Sequence, residues 1–323
     1  MNGRAKFFCR IVFSTLFFCI IAANVSGQEA DEQAENESSL IFLMPAGYEF
    51  ISLERQTMHA PSAGFGFISA QTGRRFLGMV TYRHVFFQEA AHLGIPQRFH
   101  QINAIFDGSI NRHRLMFFLG SSSDEPIVGG FSVIQAMAGW GYEVVNRPHT
   151  SLTLGVTLGI GDFGIALPSG DPLPVLPLPL IRLNVETQWL ALSFTVPTLG
   201  FTIAPQQRVR LAGNIQLVSF RSISDIIFEC TLWYRLFGAD HRMGDFAGIG
   251  VGVRSASSSF TISHDATRFE MRQTSVFAVA DFSIARIRGG WIFDSRYRLD
   301  RRDAGSPGRG WYVSLQGNIP IAR

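Results

Sequence analysis

Few side chains in this sequence are spaced for chemistry, and those few suggest lipid or small anions before metals or nucleotides. His59, His92, His100, His113, His149, His241 and His264 are scattered without metal-ligand spacing. No glycine-rich phosphate loop or serine-hydrolase elbow occurs in a usable context, so no cofactor or metal is expected. Asn111-Arg112-His113-Arg114 is a basic cluster at the start of a strand pattern. It could meet lipid phosphates, or be a solvated turn. Arg254, Arg268, Arg272, Arg286, Arg288, Arg296 and Arg298 could line a lumen and favour anions, with Glu270, Asp281 and Asp294 offsetting them. Ser121-Ser122-Ser123-Asp124-Glu125 reads as a polar loop at a strand end.

The elements that would carry these residues begin after an export signal. Arg4, Lys6 and Arg10 form a basic n-region. Ile11 to Ile21 is a short apolar stretch, and Val25-Ser26-Gly27 offers a cleavage site before Gln28. The signal holds three of the 28 basic residues and no acidic one, leaving 25 of each sign in the mature chain. That balance gives no reason to expect nucleic acid. Cys9 and Cys19 leave with the signal, so Cys230 has no intrachain partner. Glu29, Asp31, Glu32, Glu35 and Glu37, with no basic residue among them, make an acidic tail.

Beyond the tail the hydrophobic period is two. Leu152, Leu154, Val156, Leu158 and Ile160 alternate with Ser151, Thr153, Gly155, Thr157 and Gly159. Successive side chains of a strand point to opposite faces, so one face is aliphatic and the other small and polar. The same alternation runs through Leu190–Val196, Phe228–Arg235, Gly248–Val253 and Trp311–Asn318. Charges such as Glu229, Arg235, Arg208 and Arg210 keep to the polar face, as a bilayer requires. Trp140, Trp189, Trp233, Trp291 and Trp311 suit interfacial girdles, although some could fill a lumen. Turn signals at Asn146-Arg147-Pro148, Phe237–Asp240 and Asp303–Gly308 separate the strands.

One stretch is unusual for a strand. Pro172, Pro174, Pro177 and Pro179 alternate with Leu173, Val175-Leu176, Leu178 and Leu180. This resembles the lipid A palmitoyltransferases, small outer-membrane barrels with a Pro-Leu-Pro-Val-Leu run entering a late strand. Ala138-Gly-Trp-Gly-Tyr-Glu143, Arg147-Pro148 with Leu154–Gly159, and Pro197 after Leu192–Val196 resemble further marks of that family in the same order. The resemblance covers about 60 residues, Ala138 to Pro197, and extends loosely from Phe76 to Phe220. It implies a site where an outward-facing His, Asp and Ser move an acyl chain from phospholipid to lipid A. The positions matching that site are Ser123, Asp124 and His84. Aspartate here follows the serine, and His84 comes one residue late, a slip that turns a side chain to the other face. The resemblance also implies lipid access at Pro172, Pro174, Pro177, Pro179 and Pro197, since each proline removes a ladder donor.

The sequence therefore reads as all-β, an antiparallel transmembrane β-barrel of about 12–14 strands preceded by a cleaved signal peptide. Residues 1–27 are the signal, 28–39 the acidic tail and 40–323 the barrel. The expected place is the outer membrane, after export. Expected partners are outer-membrane lipids (phospholipid and lipid A) and the outer-membrane assembly machinery. The expected activity is binding or acylating lipid through the proline-weakened wall. Two alternatives stay open: a non-enzymatic pore or channel, and a surface-interaction barrel.

Overall fold

The computed structural model describes residues 39–88, 95–125, 133–160, 175–217, 226–237, 247–265, 267–282, 284–300 and 302–322. The signal peptide, residues 28–38 of the acidic tail, Pro172 and Pro174 lie outside them. Strands are β1 (Ser39–Leu53), β2 (Gln56–Gln71), β3 (Arg74–Gln88), β4 (Arg98–Ile110), β5 (His113–Ser123), β6 (Ile134–Arg147), β7 (Thr150–Ile160) and β8 (Val175–Glu186). Then follow β9 (Leu190–Thr195), β10 (Thr198–Ile203), β11 (Val209–Leu217), β12 (Ile226–Phe237), β13 (Ala247–Ile262), β14 (Thr267–Phe282) and β15 (Ala285–Leu299). A four-residue β16 (Arg302–Gly305) folds back on β15, and β17 (Gly310–Ala322) ends the chain.

Each strand pairs antiparallel with its neighbours in sequence, β15 pairs with β17, and β17 closes the ring on β1. The wall is a closed 16-stranded antiparallel barrel. Closing β17 on β1 removes the free edges of the first and last strands, which is what a lipid environment demands of a β-structure. The count exceeds the expected 12–14. Val196 and Pro197 divide one apolar-alternating stretch into β9 and β10, each six residues long. At one end of the barrel both termini meet short turns, at 72–73, 111–112 and 148–149. We call this the terminus end and its opposite the far end.

The alternation of β7 appears in the structure as read. Leu154, Val156, Leu158 and Ile160 stand outward and exposed, while Thr153 and Thr157 are buried inside. Trp140, Trp189, Trp291 and Trp311 also face outward, whereas Trp233 is 8% exposed and points into the lumen. This ordering inverts toward the far end. On β13, Ile249, Val251 and Val253 face out up to the buried Arg254; beyond it Ser255, Ser257 and Ser259 face out, and Ala256 and Phe260 face in. Apolar residues inside and polar residues outside describe a water-soluble segment, so the strands leave the hydrocarbon at that level.

An apolar core fills the interior there. Phe87 and Phe99 come from β3 and β4; Phe260, Phe269 and Tyr297 come from β13, β14 and β15. Ring centroids lie 4.7 Å apart for Phe99–Phe260 and 5.6 Å apart for Phe87–Phe269. Opposite walls thus touch through their side chains. Each fully buried phenylalanine contributes about 1.5–3 kcal/mol relative to exposure.

Candidate functional site

Register brings the predicted catalytic residues into one neighbourhood. His84 on β3 lies opposite His100 on β4, and His100 lies opposite Ser123 on β5. His84 alternates with the buried Arg83 and Val85, so it faces outward, the direction the palmitoyltransferase resemblance requires. Its ring stacks on His100 with centroids 4.4 Å apart, and the Tyr82 hydroxyl lies 2.7 Å from His100 Nδ1.

The three do not form a relay. Ser123 has no exposed surface. Its hydroxyl donates to Asp124 Oδ1 at 2.9 Å and accepts the Glu125 N–H at 3.2 Å. The sequence order that puts aspartate after serine lets the carboxylate take the hydroxyl directly. A base that activates a serine must hold its proton. His84 is two strand spacings away, about 9–10 Å.

Ser122 to Asp124 instead bind β5 to β13, a strand far from it around the ring. Arg83 Nη1 donates to Gln101 Oε1, Gln101 Nε2 donates to Ser122 Oγ at 2.8 Å, and Ser122 Oγ donates to the Ser259 carbonyl at 2.9 Å. On the other side the Ser263 N–H donates to Asp124 Oδ1 at 2.8 Å. Between them Ser123 and Thr261 form a parallel bridge. This clasp shuts the far end of the ring over the apolar core. The polar loop expected at Ser121–Glu125 is therefore a joint between strands, a role its composition did not disclose.

Beside β8 the wall is incomplete among the described residues. β8 pairs with β7 over its whole length, but with β9 only from Arg182 to Glu186. Among the described residues, 175–181 have no ladder partner on that edge. The Val196 N–H reaches the Ile181 carbonyl at 3.3 Å, so the odd-numbered residues of β8 direct their backbone groups toward β9. Backbone groups alternate edges along an antiparallel strand. Pro177 and Pro179 therefore lack their N–H on the unpartnered edge. Both are exposed on the outer face. Pro197 sits in the turn that ends β9, at the floor of the notch.

The lumen beneath the core is polar. Arg254 Nη2 lies 3.4 Å from Glu49 Oε1, and its guanidinium stands 4.2 Å over the Tyr312 ring. Arg288 donates to both Glu229 oxygens, at 2.9 and 2.7 Å, and lies over Phe277. Toward the terminus end, Asp107 takes Arg114 Nε at 2.9 Å and has Arg182 Nη1 at 3.7 Å. Of the arginines expected to line a lumen, Arg254, Arg286 and Arg288 do. Arg268, Arg272, Arg296 and Arg298 lie instead toward the far end, on the outward polar face of β14 and β15; there Arg272 pairs with Glu270 and Arg296 with Asp294. The basic cluster at Asn111–Arg114 is split between faces. Asn111 turns the chain at φ 53°, His113 stacks outward on Trp140, and Arg114 points in to Asp107.

No known family model matches the chain, and no curated protein matches it. Solved structures that resemble it include Acinetobacter baumannii OccAB1, at 11% identity over 91% of this chain and 100% of that one, with a TM-score of 0.34. Pseudomonas aeruginosa OccK7 (OpdD) is 10% identical over 88% of this chain and 100% of that one, with a TM-score of 0.34. CdiB from Acinetobacter baumannii is 9% identical over 86% of this chain and 60% of that one, with a TM-score of 0.37. What stands of the palmitoyltransferase resemblance is the closed antiparallel β-barrel.

Proposed function

We propose that this protein is a non-enzymatic outer-membrane channel for a small amphipathic solute, whose lumen opens to the bilayer through the side of the wall. The observation that carries this reading is the coincidence of a sealed far end with a ladder that stops at Arg182. A solute in the lumen has no straight exit past the contact of Phe87 and Phe99 with Phe260 and Phe269. Beside β8 it meets an edge from which Pro177 and Pro179 remove two donors, flanked by the outward aliphatic residues of β7 and by Val175. Outer-membrane barrels keep short turns on the periplasmic side and longer loops outside. The terminus end is thus the periplasmic mouth and the clasp the external end. Acyl transfer is not part of the proposal, because Ser123 is buried and its hydroxyl is committed to Asp124.

The test uses the purified barrel in a Cys230→Ala background with cysteines at Leu178 and Val196, on either side of the notch. Liposomes carrying it should take up a pyrene-labelled fatty acid. A short bismaleimide across the two cysteines should stop the uptake while the barrel stays heat-modifiable. In planar bilayers the unbridged protein should show no steady ohmic conductance. Uptake unaffected by the bridge, or a steady open pore, would overturn lateral passage in favour of an axial route.

A further inference from the structure

We infer that His84 and His100 form a binding site for a nitrogen-seeking divalent cation (Cu2+, Zn2+ or Ni2+) on the outer face, with Tyr82 positioning one ring. The sequence holds the two histidines apart, and the β3–β4 register sets them directly opposite each other. Opposite residues of antiparallel strands have Cβ atoms about 4.5–5.5 Å apart. Imidazole nitrogens bind such ions at about 2.0–2.1 Å, so side chains from one such pair can reach a single ion. Here the ring centroids lie 4.4 Å apart and the planes are within 16° of parallel. Both rings are half-buried on the outer face. Turning them out of their stack, with no movement of the backbone, lets both nitrogens face one ion.

Two further observations point to a ligand. His84 Nε2 is shielded from solvent and has no hydrogen-bond partner among the described residues. A ring nitrogen carries either a proton or a lone pair, and each calls for a partner once buried. A bound ion supplies one. The other observation is the Tyr82 hydroxyl, 2.7 Å from His100 Nδ1. When Nδ1 carries the proton it donates to the tyrosine oxygen, and Nε2 keeps its lone pair. That is the tautomer a metal ligand needs, and a fixed partner on the second nitrogen is the usual means of holding it. Tyr82 is therefore a positioning residue and not a ligand.

Charges of both signs act on the pair. Arg98, whose guanidinium lies 5.7 Å from the Phe86 ring, acts on both histidines, and Asp124 acts on His100. A nearby cation opposes the ion and a nearby carboxylate favours it. Among the described residues no group of three or more histidine, cysteine or carboxylate side chains is placed to hold a metal. Water thus completes the coordination shell, and the ion exchanges with the medium. Imidazole suits Cu2+, Ni2+ and Zn2+, of which Cu2+ binds most tightly. His84 follows Tyr82 on the outward face, where β3 begins to turn its apolar residues inward, so the ion comes from the water at the far end. The site does not depend on the channel reading.

The experiment titrates Cu2+ into the detergent-solubilised barrel, with Cys230→Ala and without a histidine tag, and reads pulsed electron paramagnetic resonance. Binding should saturate with two equatorial imidazole nitrogens, and Zn2+ should compete for the site. His84→Phe, which keeps the aromatic stack, and His100→Gln should each weaken binding about 100-fold and leave a one-nitrogen signature, since the chelate is lost. Tyr82→Phe should weaken it about tenfold with both nitrogens retained. Arg98→Gln should tighten it. These last two variants leave both rings in place and carry the test if a histidine variant is not heat-modifiable. No saturable binding at micromolar Cu2+ overturns the site. So does the same spectrum and affinity in His84→Phe and His100→Gln, or an affinity that neither Tyr82→Phe nor Arg98→Gln alters.

Discussion

Replacing Asp124 by alanine should loosen the far end of the barrel without unfolding it. The carboxylate accepts the Ser263 N–H and the Ser123 hydroxyl, both within 2.9 Å. Hydrogen bonds to a charged group contribute about 1.5–3 kcal/mol each in favourable settings. Asp124 is half-buried, so we take about 2 kcal/mol for the pair after screening. At 1.4 kcal/mol per tenfold, opening of the seam becomes about 30 times more frequent. The ladders of the ring are untouched, so the global melting point should move little. The assay is amide hydrogen exchange of the detergent-solubilised protein. Exchange should quicken about 30-fold at Thr261 and Ser263 and stay unchanged in β6 and β7. Equal exchange in both proteins would mean that the seam is not held by Asp124. A uniform rise in all strands would refute the view of the clasp as a local joint. Ser123→Ala, which removes one donor and no acceptor of the β13 amide, should give a smaller change in the same place.

Three further outcomes follow from the interior and the notch. Phe269→Ala should cost about 3–5 kcal/mol and admit ions past the core; denaturant titration and planar-bilayer current check both, and an intact, silent barrel would contradict the sealing role. Arg288→Met should cost about 3–5 kcal/mol by leaving Glu229 unpaired inside the wall, and adding Glu229→Leu should restore most of it; additive losses in the melting curves would show that the two do not act as a pair. Pro179→Ala should destabilise by about 1–3 kcal/mol, because it places an N–H on an edge that has no ladder partner among the described residues; a more stable variant would show that edge to be paired.

How far the fold was legible depended on which side of the membrane boundary a strand lay. β7 could be read residue by residue, since lipid on one side and lumen on the other impose opposite chemistries on alternate positions. The same held for Phe228–Arg235 and Trp311–Asn318. Pro177 and Pro179 could be read as removing ladder donors from a strand, because a missing N–H is a property of the residue itself. The strand number was less accessible, since six-residue strands joined at Val196-Pro197 carry too few alternations to be separated. The site was harder still. Ser122, Ser123 and Asp124 owe their role to Ser259, Thr261 and Ser263, more than 130 positions away. No local pattern records such a pairing, and the same residues suit a polar loop or a catalytic cluster equally well.

One further signal lay in the sequence and concerns the sealed end. In an uninterrupted strand, a membrane segment places its apolar residues outward, and a soluble extension places them inward. Crossing the boundary therefore shifts the apolar residues from one parity to the other. On β13 they occupy odd positions up to Val253 and even positions at Ala256 and Phe260. On β14 outward apolar residues appear only beyond the polar stretch, at the even positions Val276 and Ala278, while Phe269, Met271, Phe277 and Val279 face inward at odd positions. β3 has outward Val80 and Tyr82 at even positions and inward Val85 and Phe87 at odd ones. The shift on β13 occurs without an irregularity in its pairing with β14, so a bulge does not explain it. β6, β7 and β8 show no such change through their described residues, which agrees with their apolar outer faces and with a notch lying within the hydrocarbon. The ladder that stops at Arg182 and the sealed end thus share one physical cause: among the described residues, part of the wall continues beyond the bilayer and closes on itself, and the strands between β5 and β13 do not.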